Sequence, residues 1–367
     1  MSRAGELLVV NVGSSSVKLA LLDPAGAVLA ARDLNGAGDD ATLPKALAGF
    51  AGVPLVGHRI VHGGAHFQTA AVVDDQLCAA LAELTPLAPL HQPPGLAALD
   101  AARSALPDAT HVACFDTAFH STLPAAASTY AVPADWREGL GVRRYGFHGL
   151  SHAYAARRAA AVLGRSPATL RTVTCHLGAG ASLCAVRGGV SVDTTMGFTP
   201  LEGLPMATRS GSVDPGLVLW LIREAGLEPA AVEDALERRS GLLGLTGTAD
   251  MREVEERARH GEAASELALA VYAHRLRAAI AAMTASLGGL DALVFTGGVG
   301  ERSPAVRRTA AATLEYLGIE LDDTRNEAAS GDPDGDIASA AARVRTVVVR
   351  AREDLEIARQ TRALTAA

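Results

Sequence analysis

The chain has 367 residues, of which 49% are hydrophobic and 4% are aromatic, and its formal net charge is −7 at pH 7. This length is enough for two domains that each bury a core of their own. The acidic balance argues against nucleic acid as a partner, because proteins that bind nucleic acid usually present a basic surface.

No part of the sequence indicates a membrane partner or an export signal. No apolar run reaches the roughly 18 residues that a membrane span needs, and no basic region followed by an apolar stretch stands at the start of the sequence. The four cysteines form no Cys-x-x-Cys pair and no zinc spacing, and three of them lie within or beside apolar runs, which predicts a structural role as small hydrophobic side chains. We therefore expect a cytoplasmic location.

The first part of the chain alternates short apolar runs with helical patterns. Residues 7–12 and 17–22 are predicted to be two strands joined by a Gly/Ser-rich turn. Further strands are predicted at 54–61 and 111–115, and helices at 74–84, 95–105 and 151–163.

The second part begins with a similar hairpin, in which residues 172–177 and 182–186 flank a turn at 178–181. A short strand is predicted at 291–296 and a surface loop at 330–336. Helices are predicted at 215–225, 232–238, 253–287 and 352–364.

The two hairpins match each other in residue type. VNVGSSSVKLAL aligns with CHLGAGASLCAV, which places Asn11 opposite His176 and Gly13 opposite Gly178. This repeat predicts an α/β protein with two related halves. We expect an N-terminal domain at 1–146 and a C-terminal domain at 147–352, with the helix at 353–367 packed back on the first domain.

Both hairpin turns are suited to hold phosphate, because glycine and serine let backbone N–H groups approach an anion closely. Neither turn is a Walker A loop. Lys18 follows the first turn and is one of only two lysines in the chain, the other being Lys45. An ammonium group at this position suits a phosphate ligand.

Nine segments together resemble the acetate kinase family, in the family's order and over nearly the whole chain. They are NVGSSSVK (11–18), HRIVHGG (58–64), APLHQPPG (88–95), FDTAFH (115–120), RRYGFHGLSH (143–152), CHLGAG (175–180), MGFTPLEGLPMATRSG (196–211), FTGGVGERS (295–303) and EDLEIAR (353–359).

The resemblance implies a two-domain actin-like ATPase (ribonuclease H-like) fold with duplicated mixed β-sheet cores flanked by helices. It also implies a homodimer that moves the γ-phosphoryl of ATP reversibly onto acetate, with Mg²⁺ as the cofactor and Mn²⁺ as a possible substitute.

Four residues match the family's catalytic positions. Arg59 and Arg209 match two active-site arginines, and a guanidinium grips carboxylate or phosphate with two parallel hydrogen bonds. His148 matches a histidine that stabilises the transition state, and Asp116 matches an acid at the metal and acetate site. The histidines at 62, 66, 120 and 152 are predicted to have structural or supporting roles.

The remaining site residues are also carried over from the resemblance. Asn11 and Glu353 match the metal site. An apolar acyl pocket is expected beside Arg59, formed by Val61, Leu90, His91, Phe147 and Pro200. The nucleotide site is expected to contain Asn11, Ser14, Ser16, Lys18, His176, Gly178, Gly180, Asp250, Arg252, Gly298 and Val299.

The sequence departs from the family pattern at several positions. Ala179 and Arg302 each replace a usual asparagine in the nucleotide segments, and Ser212 replaces a common aspartate. The C-terminal acid pair is Glu353-Asp354, and the stretch before HRIVHGG is shorter than usual. Nucleotide preference is the property that these changes affect most, since no charged transfer residue is lost.

Three alternatives remain at this point. The same chemistry on propionate differs by one methylene, worth only about 1–3 kcal/mol in an apolar pocket. A nucleotide-dependent switch of the actin/Hsp70 type shares the hairpins but has no need for Arg59, His148 and Arg209. A sugar kinase of the same superfamily needs an aspartate base and polar groups for hydroxyls, which an apolar pocket with two arginines does not supply.

Overall fold

The computed structural model describes residues 3, 5–13, 16–35, 42–331 and 334–366. Contacts divide them into two compact units. The first contains the described residues up to Ser121, the segment Phe147–Tyr154 and the residues from Arg352 onward. The second contains Thr122–Gly146 and Ala155–Ala351.

The first unit is built on a six-stranded sheet of order β3-β2-β1-β4-β6-β5. Strands β1, β2 and β3 run antiparallel to one another, β1, β4 and β6 run parallel, and β5 is an antiparallel edge. The strands are β1 (Leu7–Val12), β2 (Ser16–Leu22), β3 (Val28–Asn35), β4 (Leu55–Ile60), β5 (Ala71–Val72) and β6 (Thr110–Phe115).

Both faces of this sheet are covered, because successive strand residues point to opposite sides. Leu8 and Val10 belong to a core shared with the helices α1 (Thr42–Ala48) and α3 (Gln92–Ala105). Leu7 and Val9 belong to another core, completed by the helices α6 (Gly149–Val162) and α15 (Glu353–Thr365).

The second unit is built on a sheet of order β11-β12-β10-β7-β8-β9. Here β7, β8 and β9 are antiparallel, β7, β10 and β12 are parallel, and β11 is the antiparallel edge. The strands are β7 (Arg171–Leu177), β8 (Ala181–Arg187), β9 (Val190–Thr194), β10 (Ala292–Thr296), β11 (Gly335–Asp336) and β12 (Arg345–Val348). The two sheets thus confirm the predicted duplication of mixed sheet cores.

The longest helix, α11 (Ala263–Leu287), packs against β7, β8 and β9. The other helices are α2 (Asp75–Glu83), α4 (Ala125–Ser128), α5 (Ala134–Gly139), α7 (Pro215–Arg223), α8 (Pro229–Arg238), α9 (Gly241–Thr246), α10 (Met251–Arg259), α12 (Gly297–Arg302), α13 (Pro304–Ala311) and α14 (Asp323–Ala328). Short 3₁₀ helices cover Thr85–Leu87, Ala118–Thr122, Pro167–Thr169 and Glu315–Leu317.

Two sequence-based elements need correction. The helix predicted at 253–287 is two helices, α10 and α11, separated at Gly261, whose φ of +81° lies outside the helical region. The loop predicted at 330–336 contains β11, which pairs with β12. Strands β3, β5, β9 and β12 were not predicted, because their residues alternate too weakly or too briefly in polarity to stand out.

The units are interleaved along the chain, and a single domain boundary near residue 146 stays a prediction. Residues 122–146 belong to the second unit and residues 147–154 to the first, so the division falls within α6. The residues from Arg352 onward belong to the first unit, where α15 packs against β1, β4 and β6.

None of the described helices is long and apolar enough to cross a membrane. None of the four cysteines forms a disulfide bond, and Cys114, Cys175 and Cys184 are buried. Burial raises the pKa of the Cys114 and Cys184 thiols to about 12, so both remain protonated at neutral pH.

Candidate active site

A buried ion pair lies at the carboxyl ends of β4 and β6, which are parallel neighbours and therefore end at the same edge of the sheet. Nε and Nη2 of Arg59 donate to Oδ2 of Asp116 at 3.1 and 2.7 Å. The Asp116 side chain is 1% exposed and the Arg59 side chain 12% exposed. The strand register thus places the predicted arginine and aspartate in direct contact.

Two more predicted residues join this pair. Nη1 of Arg59 donates to Oδ1 of Asn11 at 3.4 Å and to the carbonyl oxygen of Val12 at 3.1 Å. Nδ2 of Asn11 donates to Oε2 of Glu353, at the start of α15, at 2.8 Å. We call Asn11, Arg59, Asp116 and Glu353 the charged cluster. Four of the five guanidinium N–H groups of Arg59 are used within it and on Val12.

The electrostatics of the cluster favour a permanently charged Arg59. Burial lowers the pKa of its guanidinium, but the carboxylates of Asp116 and Glu353 outweigh this and raise it. Burial raises the pKa of Asp116 above its ordinary value, and the adjacent guanidinium opposes that rise. Oδ1 of Asp116 is buried and makes no hydrogen bond with the described residues.

The segment around His148 is fixed on the end of β6. Its φ of 56° is unusual for a residue other than glycine, and such strained backbones often occur at functional sites. The N–H of Gly149 donates to the carbonyl of Asp116 at 2.9 Å, and a Cβ on Gly149 would lie 2.1 Å from that oxygen. Nε2 of His120 donates to the carbonyl of Phe147 at 2.9 Å. Glycine at 149 is therefore required for this close approach.

His58, the residue before Arg59 on β4, forms a buried pair with His111 on β6. Nε2 of His58 is 2.9 Å from Nδ1 of His111, and Nε2 of His111 is 3.1 Å from the carbonyl of Leu106. A carbonyl can only accept, so Nε2 of His111 carries a proton and Nδ1 accepts from His58. Burial, together with the neighbouring His111, lowers the pKa of His58 to about 3. Both rings are therefore neutral at working pH.

The predicted acyl-pocket residues of the first unit lie after β4, before α3 and before α6. Val61 and Phe147 are buried, and the ring of Phe147 meets the ring of His62 edge-on at 5.4 Å. Leu90 and His91 are half-buried. Gln92 donates to the carbonyl of His62 at 3.1 Å and accepts from its N–H at 3.2 Å. The start of α3 is thereby held against the segment that follows Arg59.

In the second unit the β7–β8 turn meets the start of α12. The N–H of Gly178 donates to the carbonyl of Gly180 at 2.9 Å. A Cβ on Gly178 would lie 3.7 Å from Nε2 of His176 and 4.0 Å from the backbone nitrogen of Gly298. Gly297 has a φ of +80°, and a Cβ there would lie 2.7 Å from the carbonyl of Leu177. The predicted nucleotide residues His176, Gly178, Gly180 and Gly298 are thus brought together, followed by Val299.

Arg209 lies in the same unit, on a segment tied to this turn. The N–H of Ala207 donates to the carbonyl of Ala179 at 3.2 Å. Nη1 of Arg209 donates to the carbonyl of Pro200 at 2.8 Å. The structure therefore brings Arg209 and Pro200 into direct contact and connects their segment to the β7–β8 turn.

Asp250 caps the N-terminus of α10 by accepting from the N–H of Arg252 at 2.9 Å, and their side chains form an ion pair. The Arg252 side chain is 82% exposed. Glu255, also on α10, accepts a hydrogen bond from the hydroxyl of Ser303 at the end of α12. Arg302 is exposed. The predicted ribose and base residues thus lie on α10 and α12, which the hydrogen bond between Ser303 and Glu255 connects.

The first turn is only partly described, and Ser14 lies outside the described residues. The N–H of Gly13 donates to the carbonyl of Ser16 at 2.8 Å. Lys18 is exposed and lies opposite Asn11 and Asp33 in the strand register. Because directly paired residues share a face of the sheet, Lys18 and Asn11 lie on the same face.

Sequence reasoning missed several residues that support these side chains. Gln92 was not singled out, nor were Tyr130 and Glu202, which bond to each other. Arg307 was also missed; it is fully buried and donates to the carbonyls of Gly300 and Glu301 on α12 at 2.8 Å. In a chain this rich in arginine, nothing local to α13 distinguishes a buried arginine from a solvated one.

No group of three or more His, Cys, Asp or Glu side chains suited to a metal is present among the described residues. Mg²⁺ does not require such a group, since it is commonly held by one or two carboxylates together with phosphate oxygens and water. The buried Oδ1 of Asp116, without a hydrogen bond, and the nearby Glu353 are oxygen donors of this kind. The residues present therefore fit a hard divalent cation.

Comparison with known proteins gives a consistent result. The family model described as "Acetokinase family" matches residues 40–359. The chain is 46% identical to an acetate kinase of Deinococcus deserti, over 98% of both chains. It is 50% identical to an acetate kinase of Clavibacter michiganensis subsp. michiganensis, over 85% of this chain and 78% of the relative.

Solved structures agree with the sequence relatives. The crystal structure of Porphyromonas gingivalis acetate kinase superposes with a TM-score of 0.90 at 35% identity, covering 99% of this chain and 100% of the other. A propionate kinase from Francisella tularensis gives a TM-score of 0.89 at 33% identity, covering 98% and 99%. The predicted actin-like ATPase fold is confirmed by these neighbours and by the duplicated sheets. The chain is a member of the acetokinase family.

Proposed function

We propose that the chain is an acetate kinase, which transfers the γ-phosphoryl group of ATP reversibly to the carboxylate of acetate. The observation that carries this proposal is the charged cluster, where Arg59 is buried, oriented by Asp116, Asn11 and Val12, and kept charged. Phosphoryl transfer is catalysed mainly by positioning and by charge stabilisation, which such a group supplies.

In the proposed step one carboxylate oxygen of acetate attacks the γ-phosphorus in line. The new C–O–P linkage of acetyl phosphate forms while the bond between the γ-phosphorus and its bridging oxygen breaks. ADP leaves with that bond's electron pair, and no proton needs to move between the substrates. This accounts for a site rich in fixed positive charge that needs no general base.

Arg59 is proposed to hold substrate through the one N–H of Nη2 that its bonds to Asp116, Asn11 and Val12 leave available. A guanidinium held in this way has little freedom to lose on binding, which is the advantage of a preorganised site. We assign it to the acetate carboxylate and the transferring phosphoryl group, together with Arg209 of the second unit.

His148 is proposed to donate a hydrogen bond to the equatorial oxygens of the phosphoryl group. Its positive φ and the close packing of Gly149 on Asp116 support a role that needs a defined backbone position.

The nucleotide is proposed to bind in the second unit, with its phosphates at the β7–β8 turn and the start of α12. The room above Gly178 and the exposed Gly298 support this, since phosphate binding needs backbone N–H groups without obstructing side chains. Asp250 and Arg252 are proposed for the ribose and base. Asn11, Ser14, Ser16 and Lys18 are proposed to contact the phosphates from the first hairpin.

Asn11, Asp116 and Glu353 are proposed to hold Mg²⁺, with Mn²⁺ as a substitute. When bound, the cation supplies positive charge that neutralises phosphate oxygens. Asp116 also orients Arg59, so its two oxygens serve two purposes: Oδ2 accepts from the guanidinium, and Oδ1 is the oxygen without a hydrogen bond.

Propionate is the second candidate acceptor, favoured by the likeness to the Francisella tularensis propionate kinase. The residues assigned to the acyl group are those carried over from the resemblance, Val61, Leu90, His91, Phe147 and Pro200. Since one methylene is worth only about 1–3 kcal/mol here, both acids are expected to react, with acetate preferred.

A cytoplasmic homodimer is also proposed. Helix α7 has no buried residues and exposes Leu217, Leu219 and Trp220 at 44%, 52% and 54%. An apolar patch of this kind commonly marks a protein interface, and a second copy of the chain is the proposed occupant. Leu219→Glu is expected to yield monomers in sedimentation velocity, whereas a wild-type monomer would contradict the assignment.

The function is tested by trapping acyl phosphate with hydroxylamine in the presence of MgATP and acetate, propionate or butyrate. We expect acetate-dependent product that falls by at least about 100-fold in Arg209→Ala. Arg238→Ala is the matched control, because Arg238 is an exposed arginine of the same unit. ATP binding without product from any acid would overturn the kinase assignment and favour a nucleotide switch.

A further inference from the structure

Three side chains of the second unit bond to one another at the segment 196–202, which contains Pro200 and ends at Glu202. Tyr130 donates its hydroxyl to Oε2 of Glu202, and Nη2 of Arg144 donates to Oε1 of the same carboxylate at 2.7 Å. The guanidinium of Arg144 also lies over the ring of Tyr130, 5.4 Å from its centroid. We call Tyr130, Arg144 and Glu202 the tyrosine cluster.

The cluster holds the backbone of the segment at several points. Nη1 of Arg144 donates to the carbonyls of Thr195 and Met196 at 3.2 and 2.9 Å. The hydroxyl of Tyr130 accepts from the N–H of Phe198 at 3.0 Å. Tyr130 therefore grips the segment on both sides of Pro200, at Phe198 directly and at Glu202 through its carboxylate.

The packing around the cluster leaves no slack. A Cβ on Gly197 would lie 1.8 Å from Oε2 of Glu202 and 2.1 Å from the hydroxyl oxygen of Tyr130. The carbonyl of Gly197 accepts from the N–H groups of Tyr145 and Gly146 at 3.0 and 3.2 Å. A side chain at 197 would displace the carboxylate of Glu202 or the hydroxyl of Tyr130, so the glycine allows the two groups to meet at the backbone of the segment.

The segment in turn orients Arg209, whose Nη1 donates to the carbonyl of Pro200 at 2.8 Å. A shift of Phe198 or Glu202 moves that carbonyl, because Pro200 lies between the two. The hydrogen bond from Nη1 links the guanidinium of Arg209 to the position of that carbonyl. The contacts from Tyr130 thus reach Arg209 through Phe198, Pro200 and Glu202.

We propose that Tyr130 is a positioning residue for phosphoryl transfer, which sets the place of Pro200 and the orientation of Arg209 and thereby the choice between acetate and longer acids. This inference rests on the proposed function of Arg209 and Pro200. Tyr130 touches neither substrate nor nucleotide in this role and acts through the segment 196–202.

The hydroxyl of Tyr130 is suited to act as a constant donor. Burial and the carboxylate of Glu202 raise its pKa to about 12, so it remains protonated throughout the range in which a kinase assay is run. The positioning effect is accordingly expected to be independent of pH between about 6 and 9.

Tyr130→Phe removes the hydroxyl and keeps the ring. We expect kcat/KM for acetate to fall roughly 10- to 100-fold, because small misplacements of a transfer group are costly. KM for ATP should stay within about twofold. The ratio of kcat/KM for propionate to that for acetate should rise severalfold, since the held segment no longer limits the acyl pocket.

Tyr145→Phe is the matched control. Tyr145 is a neighbouring tyrosine whose ring lies 6.0 Å from that of Phe198, but its hydroxyl donates to the carbonyl of Gly141, away from the segment. Loss of this hydroxyl should leave kcat, and the ratio of kcat/KM for propionate to that for acetate, near the wild-type values. Glu202→Gln, which keeps the shape and removes the charge, should show a smaller version of the Tyr130→Phe effect.

Equal kinetics and an unchanged acid ratio in Tyr130→Phe and Tyr145→Phe, with an active wild type, would overturn this inference and leave the proposed function intact. A loss confined to thermal stability, with kcat and the acid ratio unchanged, would overturn it as well. Failure of the wild type to form acyl phosphate would overturn the proposed function, and this inference with it.

Discussion

The two sheets share one strand arrangement, but the two units carry different groups where their central parallel strands end. In the first, the carboxyl ends of β4 and β6 gather Arg59 and Asp116 into the charged cluster. In the second, the carboxyl ends of β7 and β10 lead into glycine turns at Gly178 and Gly297, whose backbones approach each other closely. The duplicated framework thus holds a buried ion pair at this edge in one unit and two closely approaching glycine turns in the other.

This difference bears on which part of the proposed chemistry each group supplies. A moving phosphoryl group needs fixed positive charge, which a buried guanidinium provides. A bound polyphosphate needs many N–H donors at short range, which a glycine turn provides and a side chain would obstruct. Replacing a residue of the charged cluster should therefore affect kcat, whereas replacing a glycine of the β7–β8 turn should affect the KM for ATP.

The largest expected effect comes from Asp116→Asn. The amide cannot balance the charge of Arg59, and removing one partner of a buried pair costs about 3–5 kcal/mol of stability. We expect kcat for acyl phosphate formation to fall by at least about 1,000-fold. Hydroxylamine trapping measures the rate, and urea unfolding measures the stability.

Asp75→Asn serves as the control, because Asp75 pairs with Arg103 at an exposed site. Exposed ion pairs contribute only about 0–1 kcal/mol. A wild-type rate in Asp116→Asn would show that the charged cluster is not the centre of the reaction.

A smaller effect is expected from glycine substitutions in the second unit. A Cβ on Gly178 meets only ordinary contacts, the nearest at 3.5 Å, so Gly178→Ala should melt like wild type. It should still raise the KM for ATP by about tenfold, because the methyl group occupies the approach to the turn.

Gly297→Ala tests stability at the second glycine turn, whereas Gly178→Ala tests ATP binding. Its φ of +80° and the 2.7 Å approach to the carbonyl of Leu177 predict a loss of about 1–3 kcal/mol in the free energy of unfolding. Calorimetry distinguishes the two variants. If Gly178→Ala left the KM for ATP unchanged, the turn would not be a phosphate site.

The smallest effect is a pH dependence of stability carried by buried histidines of the first unit. Burial lowers the pKa of His62 and His120 to about 4, and burial together with His111 lowers that of His58 to about 3. In the unfolded chain these histidines have a pKa near 6.5 and take up protons below that pH. The free energy of unfolding is therefore highest above about pH 6.5 and decreases as the pH falls towards 4.

At pH 5 each of these histidines is expected to lower the free energy of unfolding by about 2 kcal/mol relative to pH 7.5. Urea unfolding at the two pH values measures this. His120→Gln should remove roughly a third of the difference, whereas His260→Gln, at an exposed position, should not change it. Identical pH dependence in all three proteins would contradict the assignment.

Much of the fold could be predicted from sequence because its signals are local. The paired apolar runs around Gly13 and Gly178 indicated both hairpins, and their likeness indicated the duplication. The break between α10 and α11 was missed, because a single glycine in a polar stretch does not by itself show that Gly261 adopts a positive φ.

The charged cluster was predicted residue by residue from motifs, but its bonding was not. Nothing in the sequence shows that Asn11 bonds to Glu353, 342 positions away, or that Pro200 accepts from Arg209. Tyr130 was not predicted at all, because the local sequence does not distinguish a tyrosine whose hydroxyl bonds to Glu202 from one whose hydroxyl bonds to water. Contacts of this kind depend on the tertiary fold and carry no periodic signal.

The position of α15 has a consequence for how the protein is made. Ile357 and Ala358 share a core with Leu7 and Val9, and Glu353 bonds to Asn11. Domains usually fold from the N-terminus during synthesis, but this core lacks α15 when the strands β1–β6 have been translated. The apolar face that α15 covers stays only partly packed, against α6, until about 240 further residues are translated, a state that favours aggregation and chaperone binding.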